Sequence, residues 1–179
     1  AGRDRACRMN LVIRDGRETD ISALLEIERD AAHAYRAVGY DFCADGAVRD
    51  AEEHLRGINE GALFISEVDS VLSGFILMWP VDSHAHIAEI SVAERFQKKG
   101  IGRALITKGE DWARNAGYDA VTLTTFTEVP WNAPFYRSIG YEEFTPDPTE
   151  TELASVQATE AAFGFHAKPR TAMIKRLIA

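Results

Sequence analysis

Ile90-Ser91-Val92-Ala93-Glu94-Arg95-Phe96-Gln97-Lys98-Lys99-Gly100-Ile101-Gly102-Arg103-Ala104-Leu105 is the stretch from which the rest of the chain is read. Its first residues close an apolar, β-rich run. Its last residues open a helix that runs from about Gly102 to Ala116 and stops at Gly117. A helix start leaves backbone N–H groups without carbonyl partners, and such an end attracts anions. Gly100 and Gly102 lack Cβ atoms, so an anion can approach the main chain. Lys98, Lys99 and Arg103 gather positive charge there in a chain of net charge -8. The plainer reading is an exposed helix start with solvated lysines, and the flanking sequence has to decide. Two other phosphate motifs fit poorly: a dinucleotide fingerprint wants a small residue where Leu105 stands, and a P-loop wants lysine where Arg103 stands.

Upstream, Leu11-Val12-Ile13 is a short β-branched run, and Ile21, Leu24 and Leu25 recur at helical spacing from about Thr19. Gly39 to Asp45 breaks that pattern, and Ala47 to Leu55 predicts a second helix ending near Gly57. Ala62 to Val68 and Val71 to Trp79 flank Asp69-Ser70 as a hairpin. Pro80 predicts an end to the second of these strands or an edge position. His86 to Val92 makes the strand before the turn. Downstream come a strand at Ala120–Thr125, a short helix at Asn132–Ile139 closed by Gly140, and a strand at Tyr141–Thr145. A helix from about Glu150 to Phe163 and a last strand at Thr171–Leu177 complete the order. One crossover helix joins strands four and five, which predicts a mixed α/β sheet of about seven strands.

The length of 179 residues suits one domain, expected over residues 9–179, with residues 1–8 an irregular tail or expression remnant. No apolar run is long enough to cross a bilayer. The acidic balance argues against nucleic acid as a partner, because phosphate contacts need a basic face. Cys7 and Cys43 have neither metal spacing nor a disulfide pattern, and no signal-peptide pattern opens the chain, so a reducing cytoplasm is the expected compartment.

With its surroundings, the turn Gln97-Lys98-Lys99-Gly100-Ile101-Gly102 resembles the Q/RxxGxG/A signature of the GNAT superfamily of N-acetyltransferases, which lies between that family's fourth strand and third helix. The resemblance extends from about Leu11 to Leu177. It includes Trp112 to Tyr118 leading into Val121-Thr122-Leu123, and the tyrosine-bearing segment Phe135-Tyr136-Arg137-Ser138-Ile139-Gly140-Tyr141. It implies a mostly antiparallel, twisted sheet flanked by helices and splayed between strands four and five. It also implies acetyl-CoA as co-substrate, an amine as acceptor, and a homodimer with the last strand and its neighbouring helix as the edge. In this family the backbone of Ile90, Ser91 and Val92 would pair with the pantetheine arm. Amides from Lys98 to Arg103, the segment of Lys98, Lys99, Gly100, Ile101, Gly102 and Arg103, would hold the pyrophosphate. Pro130-Trp131-Asn132-Ala133-Pro134-Phe135-Tyr136, with the extra helix before the last strand, resembles a bacterial group of GNAT proteins whose acceptor is unassigned.

Acetyl transfer to an amine needs a neutral amine, an oxyanion donor and a proton for the departing thiolate. Tyr136 matches the family tyrosine that protonates coenzyme A; without the family, it reads as a core aromatic beside Phe135. Two residues compete as base. Glu89 lies among apolar residues, where a carboxylate is expensive unless paired or used. His86 occupies a strand position, eleven residues before Gln97, where other members place a catalytic glutamate or histidine. In a regular strand the two point to opposite faces, so they are alternatives unless a bulge intervenes. Asn132 reads either as the cap of the short helix or as a coenzyme A contact; the family's more frequent asparagine position is Val129 here. His84 and His86 with Asp82 suggest a metal site less well than a satisfied histidine pair, so none is expected. The aromatic loop Tyr40 to Phe42 and the acidic Glu142-Glu143 are candidates to line either a closed pocket or a groove; a small-molecule amine is the expected acceptor, with a peptide acceptor, or a module that binds acetyl-CoA without turnover, as the alternatives.

Overall fold

The computed structural model describes residues 9–60 and 62–177. The expected tail over residues 1–8, with Cys7, therefore lies outside the described residues. β1 (Leu11–Asp15) leads into α1 (Ile21–Ala32), a 3-10 segment (His33–Val38), the short α2 (Asp41–Ala44) and α3 (Ala51–Asn59). Then come β2 (Leu63–Val68), β3 (Val71–Val81), β4 (His84–Val92) and α4 (Ile101–Asn115). β5 (Ala120–Phe126), α5 (Ala133–Ser138), β6 (Glu142–Phe144), α6 (Thr151–Ala162) and β7 (Arg170–Arg176) complete the chain.

The seven strands form one sheet in the order β1-β2-β3-β4-β5-β7-β6. All neighbours are antiparallel except β4 and β5, which pair in parallel at Ala85↔Val121 and His86↔Thr122 alone. Beyond His86 the two strands part, so the sheet is splayed there. β7 lies inside the sheet, and β1 and β6 are its edges; the expected edge at the last strand is thus displaced to β6. Among the described residues no helix is long and apolar enough to cross a membrane.

Both faces of the central strands are covered, which is why β2 and β3 read as nearly continuous apolar runs. Leu63, Ile65, Phe75 and Leu77 meet Leu24 and Ile27 of α1. Phe64, Ile76 and Met78 meet Ile101, Leu105 and Ile106 of α4 on the opposite face. Glu110 of α4 is buried and anchored by Lys175 Nζ on β7 at 2.9 and 3.0 Å, with the Tyr141 hydroxyl donating to it at 3.2 Å.

Of two punctuation residues, Gly57 departs from its expected role and Pro80 takes the edge alternative. Gly57 does not end α3: it lies inside the helix, where an added Cβ would stand 2.2 Å from Leu77 Cδ1, so its absence lets the helix approach β3. Pro80 does not end β3: the strand continues to Val81 and pairs with Ala85, beyond the reach of β2, whose ladder stops at Leu63↔Leu77. The ring therefore removes no donor that β2 needs.

Candidate active site

The turn after β4 is held at both ends. Gln97 Nε2 donates to the Val92 carbonyl at 2.9 Å, tying the turn to the strand. Lys98 and Gly100 take left-handed conformations, with φ of 60° and 82°. This curls successive amides toward one side, and the first residues of α4, Ile101, Gly102 and Arg103, add N–H groups that lack intrahelical carbonyls. A Cβ built on Gly100 or Gly102 meets nothing within 4 Å, so both face open space. Lys99 is partly committed elsewhere: its ammonium donates to the Arg95 carbonyl at 2.9 Å and lies 5.4 Å from the centre of the Phe96 ring. Lys98 and Arg103 are exposed beside it.

On β4 the ladder with β3 passes from Leu77↔Glu89 to Met78↔Ile87, so Ala88 is an extra, unpaired residue. That bulge is the one the sequence left open, and it puts His86 and Glu89 on one face. Their environments differ. His86 is 2% exposed, and its Nδ1 lies 2.9 Å from Thr122 Oγ1 on β5. Burial, then the Arg49 charge, lower its pKa to about 3, so the ring is neutral and a weak base. Glu89 keeps 28% of its side chain exposed, accepts from Ser91 Oγ at 3.0 Å, and lies 3.7 Å from Arg49 Nε. Burial raises its pKa above the ordinary carboxylate range, against the opposing pull of Arg49.

Tyr136 is buried, with its ring edge-on to Phe135 and Tyr141, each with centroids 5.5 Å away. Burial foremost, then Tyr35 and Glu89, raise its pKa, so the phenol stays protonated. Tyr35 is pushed up to about 12, again chiefly by burial, and it also feels Glu89. Tyr35 and Tyr136 therefore both feel the charge of Glu89. Asn132 makes no side-chain cap to α5. Its Nδ2 donates to the Tyr35 hydroxyl at 3.0 Å, joining α5 to the 3-10 segment 97 residues away. Residues 23–141 of this chain match the acetyltransferase (GNAT) family.

The chain belongs to that family. An uncharacterized N-acetyltransferase from Methanocaldococcus jannaschii is 33% identical over 92 residues, 48% of this chain and 41% of the relative, so the chain spans well under half of the relative's length. A PaiA N-acetyltransferase from Thermoplasma acidophilum, solved in complex with coenzyme A, shares the fold with a TM-score of 0.69 at 18% identity, over 94% of this chain and 100% of that one. A ribosomal-protein alanine N-acetyltransferase from Escherichia coli gives a TM-score of 0.67 at 17% identity, over 95% of this chain and 96% of that one.

Within this GNAT fold, the remaining candidates go to separate places. Asp82 caps α6, accepting from the Glu152 and Leu153 amides at 3.2 and 3.0 Å, while His84 lies between Asp119 and Glu150. Neither side chain joins His86. Tyr40 and Phe42 pack with Phe126 and Phe165 on the face of β5 that carries Thr122. Glu143 pairs instead with Arg137 at the β6 edge, so it does not line the same space. The sequence reading missed Tyr35, Glu28, Arg49 and His54. Arg49, at the start of α3, spans this group: its Nη2 donates to the Ala88 carbonyl at 2.6 Å and its Nη1 to Glu53 at 2.8 Å. No local pattern marks such residues, because their partners come from other elements.

Proposed function

We propose that this chain transfers the acetyl group of acetyl-CoA to a primary amine of a small molecule by direct attack, within one domain over residues 9–179. What supports the reading is a part-exposed Glu89 carboxylate on β4 where β4 and β5 part, together with a buried Tyr136 that stays protonated and feels the Glu89 charge.

The residues fit coenzyme A. β4 has no β5 partner after His86, which leaves one backbone edge of Ile90, Ser91 and Val92 for the pantetheine arm. The curled amides from Lys98 to Arg103 suit the pyrophosphate, with Lys98 and Arg103 supplying charge. Bound there, acetyl-CoA supplies an acyl carbon that an amine can attack. Glu89 takes the amine's proton, directly or through water; its raised pKa keeps it closer to neutral pH than an ordinary carboxylate. Tyr136 donates its O–H to the departing sulfur. Asn132 acts through Tyr35, since its amide is already engaged. His86 is a structural neutral ring. Cys43 is no nucleophile, because burial raises its pKa to about 11.

The rings of Tyr40, Phe42, Phe126 and Phe165 pack together next to Tyr35, and a packed aromatic wall there supports a small amine over a polypeptide. Acetyl-CoA with a panel of amines, followed by thiol release and by mass of the product, tests the reading. Release no faster than background with every amine would sink it. Acetyl-CoA binding without acceptor-stimulated release would make the chain a binding module, and acetylation of peptides alone would change the acceptor class.

A further inference from the structure

Behind Glu89 lies a pair of polar groups that the transfer as described does not use. Glu28 of α1 has a side chain 12% exposed, and its Oε1 accepts the Arg49 backbone N–H at 2.9 Å. Its Oε2 stands 3.9 Å from Nε2 of His54 on α3, a side chain with 0% exposure. Both atoms are enclosed, and neither has a hydrogen-bond partner among the described residues. The other His54 nitrogen, Nδ1, lies 2.8 Å from the Asp50 carbonyl. A carbonyl only accepts, so Nδ1 carries a proton and Nε2 is the position left to share one. With no proton between them, a carboxylate lone pair and an imidazole lone pair would face each other inside the protein, an uncompensated burial.

We propose that Glu28 and His54 hold one proton between them and thereby act as positioning residues for Glu89, so that Arg49 has only Glu89 and the outer Glu53 to balance and no further carboxylate behind the base. The proposal rests on the reading of Glu89 as the base. Wherever the proton sits, as carboxylic acid with neutral ring or as carboxylate with imidazolium, the pair is neutral. When the proton leaves, a second negative charge appears in an enclosed region, where charges act on one another more strongly than in water.

The surrounding groups offer little else to offset it. From the segment just before α3, Arg49 is already spread over Glu53, the Ala88 carbonyl and Glu89. From β4 come Glu89 and the neutral His86. β3 contributes only the rings of Phe75, 5.3 Å from His54, and Trp79, 5.5 Å from the Arg49 guanidinium carbon. Tyr35 and Tyr136 stay protonated. In keeping with this, burial and then the Glu89 charge push Glu28 up to about 8.

Loss of the shared proton sets a negative charge close to where the oxyanion and the sulfur acquire theirs. The rate should therefore climb as Glu89 ionises and fall as the pair deprotonates. Glu28→Gln keeps the shape of the acid and is neutral at every pH. In that variant kcat/KM at pH 7 is expected to stay within about threefold of the parent, with the falling limb gone. A falling limb that persists unchanged overturns the proposal. An independent readout needs no turnover: NMR of the Glu28 carboxyl carbon and the His54 ring nitrogens, in the unaltered full chain, locates the proton. One proton on either group at pH 6.5, lost on raising the pH with both signals moving together, is the expected result. A Glu28 carboxylate beside a His54 ring with Nε2 bare at pH 6.5 overturns it, whether or not any amine is acetylated.

Discussion

His86 and Glu89 lie on one face of β4, separated by two ladder positions instead of three, because Ala88 is left out of the pairing with β3. Sharing a face does not make them equivalent. His86 is closed in against Thr122, whereas Glu89 remains open to the splay and is polarised by Ser91 and Arg49. These differences in exposure and proton affinity are the grounds on which we propose Glu89 as the base and a packing and hydrogen-bonding role for His86.

Glu89→Gln should lower kcat/KM by about 10²–10⁴, the usual worth of a general base, and remove the rising limb of its pH profile. His86→Gln should change it by less than about tenfold, since no proton transfer is lost. Steady-state rates across pH for both variants check this; the reverse ranking would hand the base to His86.

Tyr136→Phe should lower kcat while the Kd of acetyl-CoA, measured by calorimetry, moves little, because the hydroxyl acts on charge that appears only as the sulfur leaves. Unchanged single-turnover rates would remove Tyr136 from the chemistry.

Gly100→Ala should weaken acetyl-CoA binding more than it slows transfer. A Cβ there meets no neighbour, but φ of 82° strains any side chain, at a cost of about 1–2 kcal/mol. Relief of that strain would turn the amides away from the pyrophosphate. KM and thermal melting together test it, with a higher KM and a slightly lower Tm expected.

His86 should make folding sensitive to acid. Its folded pKa of about 3 lies below the model-peptide value of 6.5, so the unfolded chain binds a proton that the folded one refuses. This contribution to stability is complete above pH 6.5 and is lost as pH falls toward 3. Between pH 7 and pH 4.5 the Tm of His86→Gln should therefore fall less steeply than that of the parent.

Gly57→Ala should destabilise the protein although alanine favours helix by about 1 kcal/mol. The new methyl would overlap Leu77 Cδ1 at 2.2 Å, and overpacking of this kind costs about 1–3 kcal/mol. A rise in the urea midpoint would contradict the close approach of α3 and β3.

Gly57 also shows why some of the fold was hard to read. A glycine late in a helical pattern looks like a stop, and here it is an internal contact whose cause lies on β3. Pro80 left two readings, a strand end or an edge, and only the reach of β2 decides for the edge, since its ladder stops at Leu63↔Leu77. Local patterns gave no sign of Glu28, Tyr35, Arg49 or His54. A tyrosine in a polar, irregular segment resembles any other until Asn132 is brought to it from 97 residues away.

By itself, the sequence determined the seven strands, the helices apart from the short α2 where a break was expected, the crossover through α4, and the open approach to the main chain at Gly100. Each depends on periodicity, or on the freedom of a residue without Cβ, and both act over a few neighbouring residues. Only the tertiary structure decided which face Glu89 presents, which histidine is sealed, and which carboxylate lies behind the base. Those answers depend on the register of β3 against β4 and on burial by α1 and α3. The position of one extra residue, Ala88, is set by pairing between strands and leaves no mark in the composition of either.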